Sequence, residues 1–423
     1  MLKTLLTAWK LPEIRKKLLF TLLLIVIFRF GAYVPIPGVN PAYIQQQAMM
    51  YDIFGYIDMI TGGSFSNFTV LALGISPYIT SSIIIQLLTI AIPALERMQK
   101  EGELGRKKLE RLTRVIGVVF SFVTAFGYVY AMGEGVFLPS NIIPKAISYI
   151  TVGLVLTAGS TFLIWLSEVI TEIGIGNGSS FIIFVGIISR LPDTAMNLGR
   201  EVLAGTRGWW LIPIILVVAL LIFVAVIFID LGERKIPVQY AKRVVGRKMY
   251  GGQSTFIPIR VNANGVMPLI FAMTLVQLPQ MIAQFWPNSG FAEGVKNYFS
   301  SGTIVYFVVY TLLIIAFAYF YSMISFNPIE LSKNMQAQGG FIPGIRPGKP
   351  TSDYLSRISS RLTLVSAIFL ALLATVPTFA SRWLPELASF GATSLLITVS
   401  VALETNKQLQ AQISMRHYKG FLK

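Results

Sequence analysis

The chain has no cysteine and a single histidine among its 423 residues. Without cysteine there is no disulfide, no thiolate nucleophile, no iron–sulfur cluster and no Cys-ligated zinc. The one histidine, His417, lies in a hydrophilic tail. It supplies neither the paired imidazoles of a metalloprotease helix nor a base for a serine nucleophile inside a membrane. No Gly-x-x-x-x-Gly-Lys-Ser/Thr stretch occurs either. Gly344-Ile-Arg-Pro-Gly348-Lys349 is one residue short and runs into Pro350, so a phosphate-cradling loop is not expected. Charged residues make up 13% of the chain, about half the roughly 25% of a soluble domain. The expectation is a protein with no metal, no cofactor and no catalytic constellation, so that any ATP its work consumes is hydrolysed by a partner.

Apolar residues are abundant, at 54%, and they gather into long stretches near 18–37, 71–93, 115–133, 149–167, 174–192, 209–231, 266–286, 303–325, 362–380 and 388–404. Crossing a bilayer takes about 20 apolar residues per helix, and most of these stretches suffice. The basic residues alternate. The gaps before 18, at 94–114, at 232–260, at 326–361 and after 404 hold 5, 7, 7, 5 and 4 Lys or Arg. The intervening gaps hold only Lys145, Arg200, Arg207, Lys296 and Arg382. The positive-inside rule then predicts ten crossings of a cell membrane with both termini cytoplasmic. The net charge of +16 is accounted for mostly by that topology rather than by nucleic-acid binding. The apolar run from Leu18 is long and has no small-residue cleavage site, so no cleavable signal is expected.

The membrane stretches also lack central charge. Arg29, Glu168, Glu172, Arg190 and Asp230 all lie near predicted span ends, within expected reach of the headgroups. Ion-coupled carriers need ionisable groups near mid-membrane. Mid-span positions here are Ser81, Ser82, Ile83, Ile84 and Gln86. A secondary transporter with broken helices, the main competing reading, and an insertase with a charged groove are both disfavoured on this ground.

The fold expected is therefore an all-α polytopic membrane protein. Its ten spans fall into two halves of five, 1–205 and 206–423, divided at the Pro/Gly-containing exposed segment 191–208. The segment Gly55 to Phe68 is too polar and glycine-rich to cross a bilayer, yet too apolar for a plain loop. Gly62, Gly63 and Gly74 flank a candidate helix over about 64–72. It is either re-entrant, which the bilayer tolerates only where backbone is covered by protein or lines an aqueous cavity, or an amphipathic helix at the outer interface. The two cytosolic loops at 232–260 and 326–361 are long, and loops of that length are usually functional. A β-like stretch is predicted at 255–261, and a proline/glycine hook at 341–350 carries Arg346 at its tip. As single residues their basic side chains read as membrane anchors; as a pair the loops read as a docking surface.

These residues carry a resemblance. Pro35-Ile-Pro-Gly38, the run Ile75-Ser-Pro-Tyr-Ile-Thr-Ser-Ser-Ile-Ile-Ile-Gln-Leu-Leu88, Glu101-Gly-Glu-Leu-Gly-Arg106, Thr171-Glu-Ile-Gly-Ile-Gly-Asn-Gly178, Tyr240-Ala-Lys-Arg243, Pro343-Gly-Ile-Arg-Pro-Gly348 and Gly391-Ala-Thr-Ser-Leu-Leu-Ile397 closely resemble the bacterial SecY family, in order along the chain. The family supplies the pore subunit of the general protein-secretion translocon. The resemblance implies two pseudo-symmetric five-helix halves around an hourglass channel that passes unfolded polypeptides and releases membrane segments sideways. It implies a pore ring at Ile75, Ile79, Ser179, Ile183, Ile270 and Ile397, with Ser179 departing from the family's aliphatic residue. Taken singly, each isoleucine reads as core or lipid packing. A narrow apolar collar dewets and resists ions.

The resemblance further implies a re-entrant plug helix over about 55–72, with Gly62, Gly63, Ser64, Phe65 and Phe68, and a lateral gate with Thr80 and Gln86 between the second and seventh spans. Gln86 alone reads as a helix–helix hydrogen bond of about 0.6–2 kcal/mol. The implied partners are SecE, SecG, the ATPase SecA, the ribosome, signal peptides, unfolded precursors and membrane lipid. Arg106, Lys107, Lys108, Lys242, Arg243, Lys248 and Arg346 are the implied docking contacts.

Overall fold

The structure is a computed structural model. It describes the whole chain except residues 1, 51–57, 59, 139–143, 206–207, 241–242, 246–247, 251–253, 264, 284–285, 287–288, 301–302, 381–391 and 421–423. In chain order the helices are α1 (Leu2–Lys10), α2 (Pro12–Gly31), α3 (Pro41–Met50), α4 (Ser76–Ala91), α5 (Pro93–Lys100), α6 (Glu103–Met132), α7 (Lys145–Ile173), α8 (Gly178–Leu203), α9 (Leu211–Leu231), α10 (Met267–Ala283), α11 (Gly290–Tyr298), α12 (Ile304–Ser325), α13 (Pro328–Ala337), α14 (Lys349–Ala380) and α15 (Ala392–Gly420). Five short strands interrupt them: β1 (Glu233–Tyr240), β2 (Arg243–Val245), β3 (Lys248–Tyr250), β4 (Ser254–Arg260) and β5 (Gly340–Phe341).

Every predicted span coincides with a helix. Among the described residues, six helices are long and apolar enough to cross a membrane: α6, α7, α8, α9, α12 with its continuation, and α14. A seventh is the pair α4 and α5, bent by 100° where Pro93, at the start of the second helix, has no N–H to carry the first helix on to the Thr89 carbonyl. Helix α10 has 17 residues. In α2, Glu13, Arg15, Lys16 and Lys17 fill the first turns and Arg29 the last, leaving a shorter uncharged stretch between them. The divider expected at 191–208 is largely helical instead. Helix α8 continues through Pro192 to Leu203, with most of the side chains after Leu191 exposed.

The chain forms two compact units. One comprises Met1–Leu211, Thr274–Thr303 and Val401–Lys423; the other comprises Ile212–Met273 and Ile304–Ser400. In the first unit, α4, α6 and α7 pack through small residues. Ser81 Oγ donates to the Thr113 carbonyl at 3.0 Å, and the Ser121 and Ser160 hydroxyls share a hydrogen bond at 3.0 Å. Small side chains let apolar helices approach closely where no water drives them together. A satellite core of Ala8, Ile14, Ile175, Leu409 and Ile413 ties α1 and α2 to the tail helix α15.

In the second unit, α9 is largely exposed, with only 11% of its apolar window buried. Beyond it the two long loops, 232–260 and 326–361, join in one antiparallel sheet of order β4-β1-β5. The stretch expected at 255–261 is β4, paired with β1 from Glu233↔Arg260 to Gln239↔Ser254. Ile236 and Val238 alternate inward from β1 and pack with Ile259, Met335, Ile342 and Leu355. Strand β1 is central and yet contains Pro237. Pro237 lies opposite Phe256 of β4, beyond the reach of β5, which pairs only at Gln239 and Tyr240.

Candidate functional site

Residues 61–75 were expected to contain a short helix over about 64–72. They instead run as consecutive turns that lead directly into α4. Gly62, Gly63 and Gly74 have φ of +67°, +89° and +61°, and Phe68 has φ of +43°. That left-handed backbone cannot propagate a helix. The turns satisfy their own polar groups. Ser64 Oγ donates to the Thr61 carbonyl at 2.9 Å, Asn67 Nδ2 to Gly63 at 3.0 Å, and Thr69 Oγ1 to Ser64 at 3.2 Å.

With those groups paired internally, a half-polar segment is buried at low cost. Ser64 is fully buried, and Phe65, Phe68, Leu71 and Ile60 are buried with it. Phe65 meets Phe68 edge-on at 6.4 Å and Tyr128 at 5.9 Å. Around them lie Ile36, Val39, Ile44, Val129, Met132 and Leu156. Burial of this kind is worth about 1.5–3 kcal/mol per large side chain. The segment's far end is stitched to the Pro35-Ile-Pro-Gly38 motif, with Ile36 N donating to the Phe68 carbonyl at 3.2 Å and Val70 N to Val34 at 3.0 Å. Ser160 Oγ on α7 donates to the Gly74 carbonyl at 3.1 Å.

Residues of α2 and α8 that the sequence reading did not assign to this site grip the segment's near end, through Asp58 and Gly62. The Asp58 carboxylate accepts from Ser66 N at 2.7 Å and is ion-paired with Arg190 of α8. Arg29 Nη1 on α2 donates to the Gly62 carbonyl at 3.3 Å and to Ser189 Oγ at 2.8 Å. Gly186 lets α8 approach, since a Cβ there would lie 2.2 Å from the Ile60 carbonyl oxygen. Arg29 and Arg190 were expected to reach headgroups, and their position at span ends hid this role. An acid at Asp58 with no basic neighbour in sequence was the available signal. Asp230 likewise does not reach outward: it is buried and accepts from Asn262 Nδ2 at 2.6 Å. Arg114 on α6 pairs with Glu168 of α7 at 2.7 Å.

The expected ring positions divide between the units. In the first, Ile75 caps α4 with Ile79 one turn on, Ile79 N donating to the Ile75 carbonyl at 3.1 Å. Ile75 and Ile183 are buried, while Ile79 and Ser179 are half-buried. The Ser179 hydroxyl donates to Asn177 Oδ1 at 2.7 Å, and that same oxygen caps α8 by accepting from Ser179 N and Ser180 N. The polar departure at this position is thus satisfied locally. In the second unit, Ile270 and Ile397 are buried. Thr80 is buried and donates to the Ser76 carbonyl at 3.1 Å. Gln86 donates to Ser82 on its own helix at 3.4 Å.

The expected docking residues are exposed wherever they are described. Arg106, Lys107 and Lys108 project from the start of α6, where Lys107 pairs with Glu103 at 3.2 Å and Lys108 with Glu101 at 3.3 Å. The motif's Gly105 makes the turn possible, because a Cβ there would lie 1.7 Å from the Met98 carbonyl oxygen. On α5 the Lys100 ammonium holds the Glu96 carboxyl below its ordinary range. Arg346 is exposed at the tip of the hook. Its carbonyl accepts from Thr351 Oγ1 at 2.8 Å, and Ser332 Oγ donates to the Gly348 carbonyl at 2.8 Å, so the tip and the outgoing leg of the hook are tied down. Lys242 lies outside the described residues, and of Arg243 and Lys248 only the strand backbone is described.

Comparison with known proteins covers nearly the whole chain. A family model described as SecY matches residues 69–406. The Protein translocase subunit SecY of Streptomyces scabiei is 43% identical over 432 residues, spanning 98% of each chain. Among solved structures, one describes how the plug domain of the SecY protein stabilises the closed state of the translocation channel and maintains a membrane seal. It aligns at TM-score 0.67 and 22% identity over 93% of this chain and 91% of that one. Another, of Sec61 in the canine ribosome–channel complex from the endoplasmic reticulum, aligns at TM-score 0.64 and 22% identity over the same shares.

Proposed function

The chain belongs to the SecY family, and on that premise we propose that it is the central subunit of a protein-conducting channel, passing unfolded secretory chains across a membrane and releasing transmembrane segments sideways into lipid. The observation that carries this reading is the turn-built segment 61–75. It is buried deep among membrane-crossing helices and yet linked to them by a handful of side-chain bonds. Such a segment acts as a plug: sealed at rest, displaced by a passing chain, and returned by its own burial. Nothing among the relatives supports the transporter alternative.

In this reading the chain crosses the cell membrane ten times with both termini in the cytoplasm, as two halves of five spans. Ile75, Ile79, Ser179, Ile183, Ile270 and Ile397 form the collar, whose aliphatic surface repels ions and offers a passing peptide no fixed hydrogen bonds. Gly62, Gly63, Ser64, Phe65 and Phe68 form the plug, and Thr80 and Gln86 belong to the lateral gate, which a signal peptide wedges open.

The chain performs no covalent chemistry and needs no cofactor, the ATP being hydrolysed by a motor partner. SecE and SecG complete the channel. SecA and the ribosome dock on Arg106, Lys107, Lys108, Lys242, Arg243, Lys248 and Arg346; the likeness to a ribosome-bound channel supports the second of these partners. The joining of both long cytosolic loops in one sheet supports a single docking platform. The test is reconstitution with SecA, SecE and ATP, reading protease protection of a secretory precursor. A chain that protects no precursor, or that moves a small solute instead, overturns the reading.

A further inference from the structure

We propose that Arg190 and Arg29 form a two-armed latch on the plug, and that this latch sets how strong a signal a passing chain must present before the conduit opens. The inference rests on the plug reading above and adds the residues that hold it. The first arm is Arg190 on α8. It pairs with Asp58 and reaches Ser66 Oγ at 3.5 Å, while Asp58 itself closes the loop by accepting from Ser66 N at 2.7 Å. One guanidinium thus binds both ends of the loop that contains Gly62 and Gly63. The second arm is Arg29 on α2, which holds the Gly62 carbonyl at 3.3 Å and Ser189, the neighbour of Arg190, at 2.8 Å. Its other nitrogen donates to the Tyr33 hydroxyl at 3.0 Å, and its charge sits 5.1 Å from that ring. Both arms converge on one turn of α8.

Physical chemistry makes this a latch rather than a weld. Asp58 is 5% exposed. A buried pair contributes little net stability compared with apolar packing, but removing one partner strands the other at large cost. The contacts therefore favour the closed plug only while all members are in place. Beside them lies a polar cleft of about 430 Å³ that includes Tyr33, Asp58, Asn67, Arg190 and Asp193. When the plug leaves, Arg190 turns to this cleft and to Asp193 instead of remaining unpaired. Charge is compensated in both states, so the energy difference between them stays small. The deep packing of Phe65 and Phe68 supplies the seal, and the arginines supply its register.

The test uses the full chain, reconstituted with its partner subunits, carrying Ser64→Cys as a reporter in a background free of other cysteines. Resting modification of that cysteine by a membrane-impermeant thiol reagent is read for Asp58→Asn, Arg190→Gln, Arg29→Gln and the reversed pair Asp58→Arg with Arg190→Asp. Asp58→Asn and Arg190→Gln are each expected to raise the resting rate at least about tenfold, as befits an ion pair left half-complete, Arg29→Gln to raise it by less because it removes hydrogen bonds only, and all three to admit a precursor with a weakened signal. The reversed pair is expected to recover most of the protection. Wild-type labelling in all single variants overturns the latch and leaves aromatic packing as the sole seal. If the single variants fail to accumulate, the reversed pair decides, and its failure to restore both accumulation and protection overturns the pairing. Resting labelling needs no translocation. A chain that labels as expected but passes no precursor therefore sinks the channel reading while the latch stands.

Discussion

A Cβ placed on Gly159 of α7 would lie 1.8 Å from the carbonyl oxygen of Val70, so this helix presses directly on the backbone of the turn segment. No side chain fits between them. Gly159→Val is expected to push Val70 off its bond to Val34, loosen the aromatic core and cost about 1–3 kcal/mol, the usual range for overpacking. Thermal unfolding of the purified complex measures the cost. Gly199→Val is the control, since nothing lies within 4 Å of a Cβ placed there. Equal melting temperatures for the two variants would mean the segment yields freely.

Phe65 is 1% exposed. Phe65→Cys is therefore expected to stay unreactive toward an external thiol reagent at rest and to react when a precursor is engaged. Deleting 60–69 should preserve folding and some translocation while raising resting ion leak. Equal labelling with and without precursor would make the segment an ordinary external loop.

Arg346→Glu reverses a charge on a hook already fixed by Thr351 and Ser332, outside every span. Accumulation and assembly with SecE should be unchanged, while motor-driven translocation falls severely. Thr351→Ala, which removes one tie worth about 0.5–1.5 kcal/mol, should give a milder defect of the same kind. Loss of the Arg346→Glu chain from the membrane would make the residue structural instead.

Asparagine at Ile79 or Ile397 would place a hydrogen-bonding group in the proposed collar. Each variant is expected to raise resting conductance in planar bilayers and to relax the demand for a good signal sequence, because a wetted constriction no longer excludes ions. Unchanged conductance in both would remove these positions from the collar.

Much of this architecture was legible because the bilayer writes strongly into sequence. Apolar length and basic loops predicted where every long helix lies, and a β-like run at 255–261 announced β4. What escaped was set by distant partners. The alternation of Ile236, Val238 and Tyr240 marked β1, but Arg234, Lys235 and Pro237 obscured it, and β5 shows only when it pairs with Tyr240. The predicted helix at 64–72 failed because local propensity does not reveal that Phe68 adopts φ of +43°. Arg29 and Arg190 looked like span ends because their acceptors, Gly62 and Asp58, lie about 33 and 132 positions away in the chain.

The pairing of Tyr240 with Gly340 imposes an order on biosynthesis. Strand β5 leaves the ribosome only after α10 and α12 have been made, so the sheet of β4, β1 and β5 stays unfinished until those helices exist. Contacts so far apart in sequence also close slowly, since the intervening chain must be ordered first. A nascent copy therefore lacks the finished sheet, and with it the proposed docking face, until most of its own spans have been synthesised. A truncated product ending before residue 340 would be unable to complete that face and would compete poorly for the partners of intact channels.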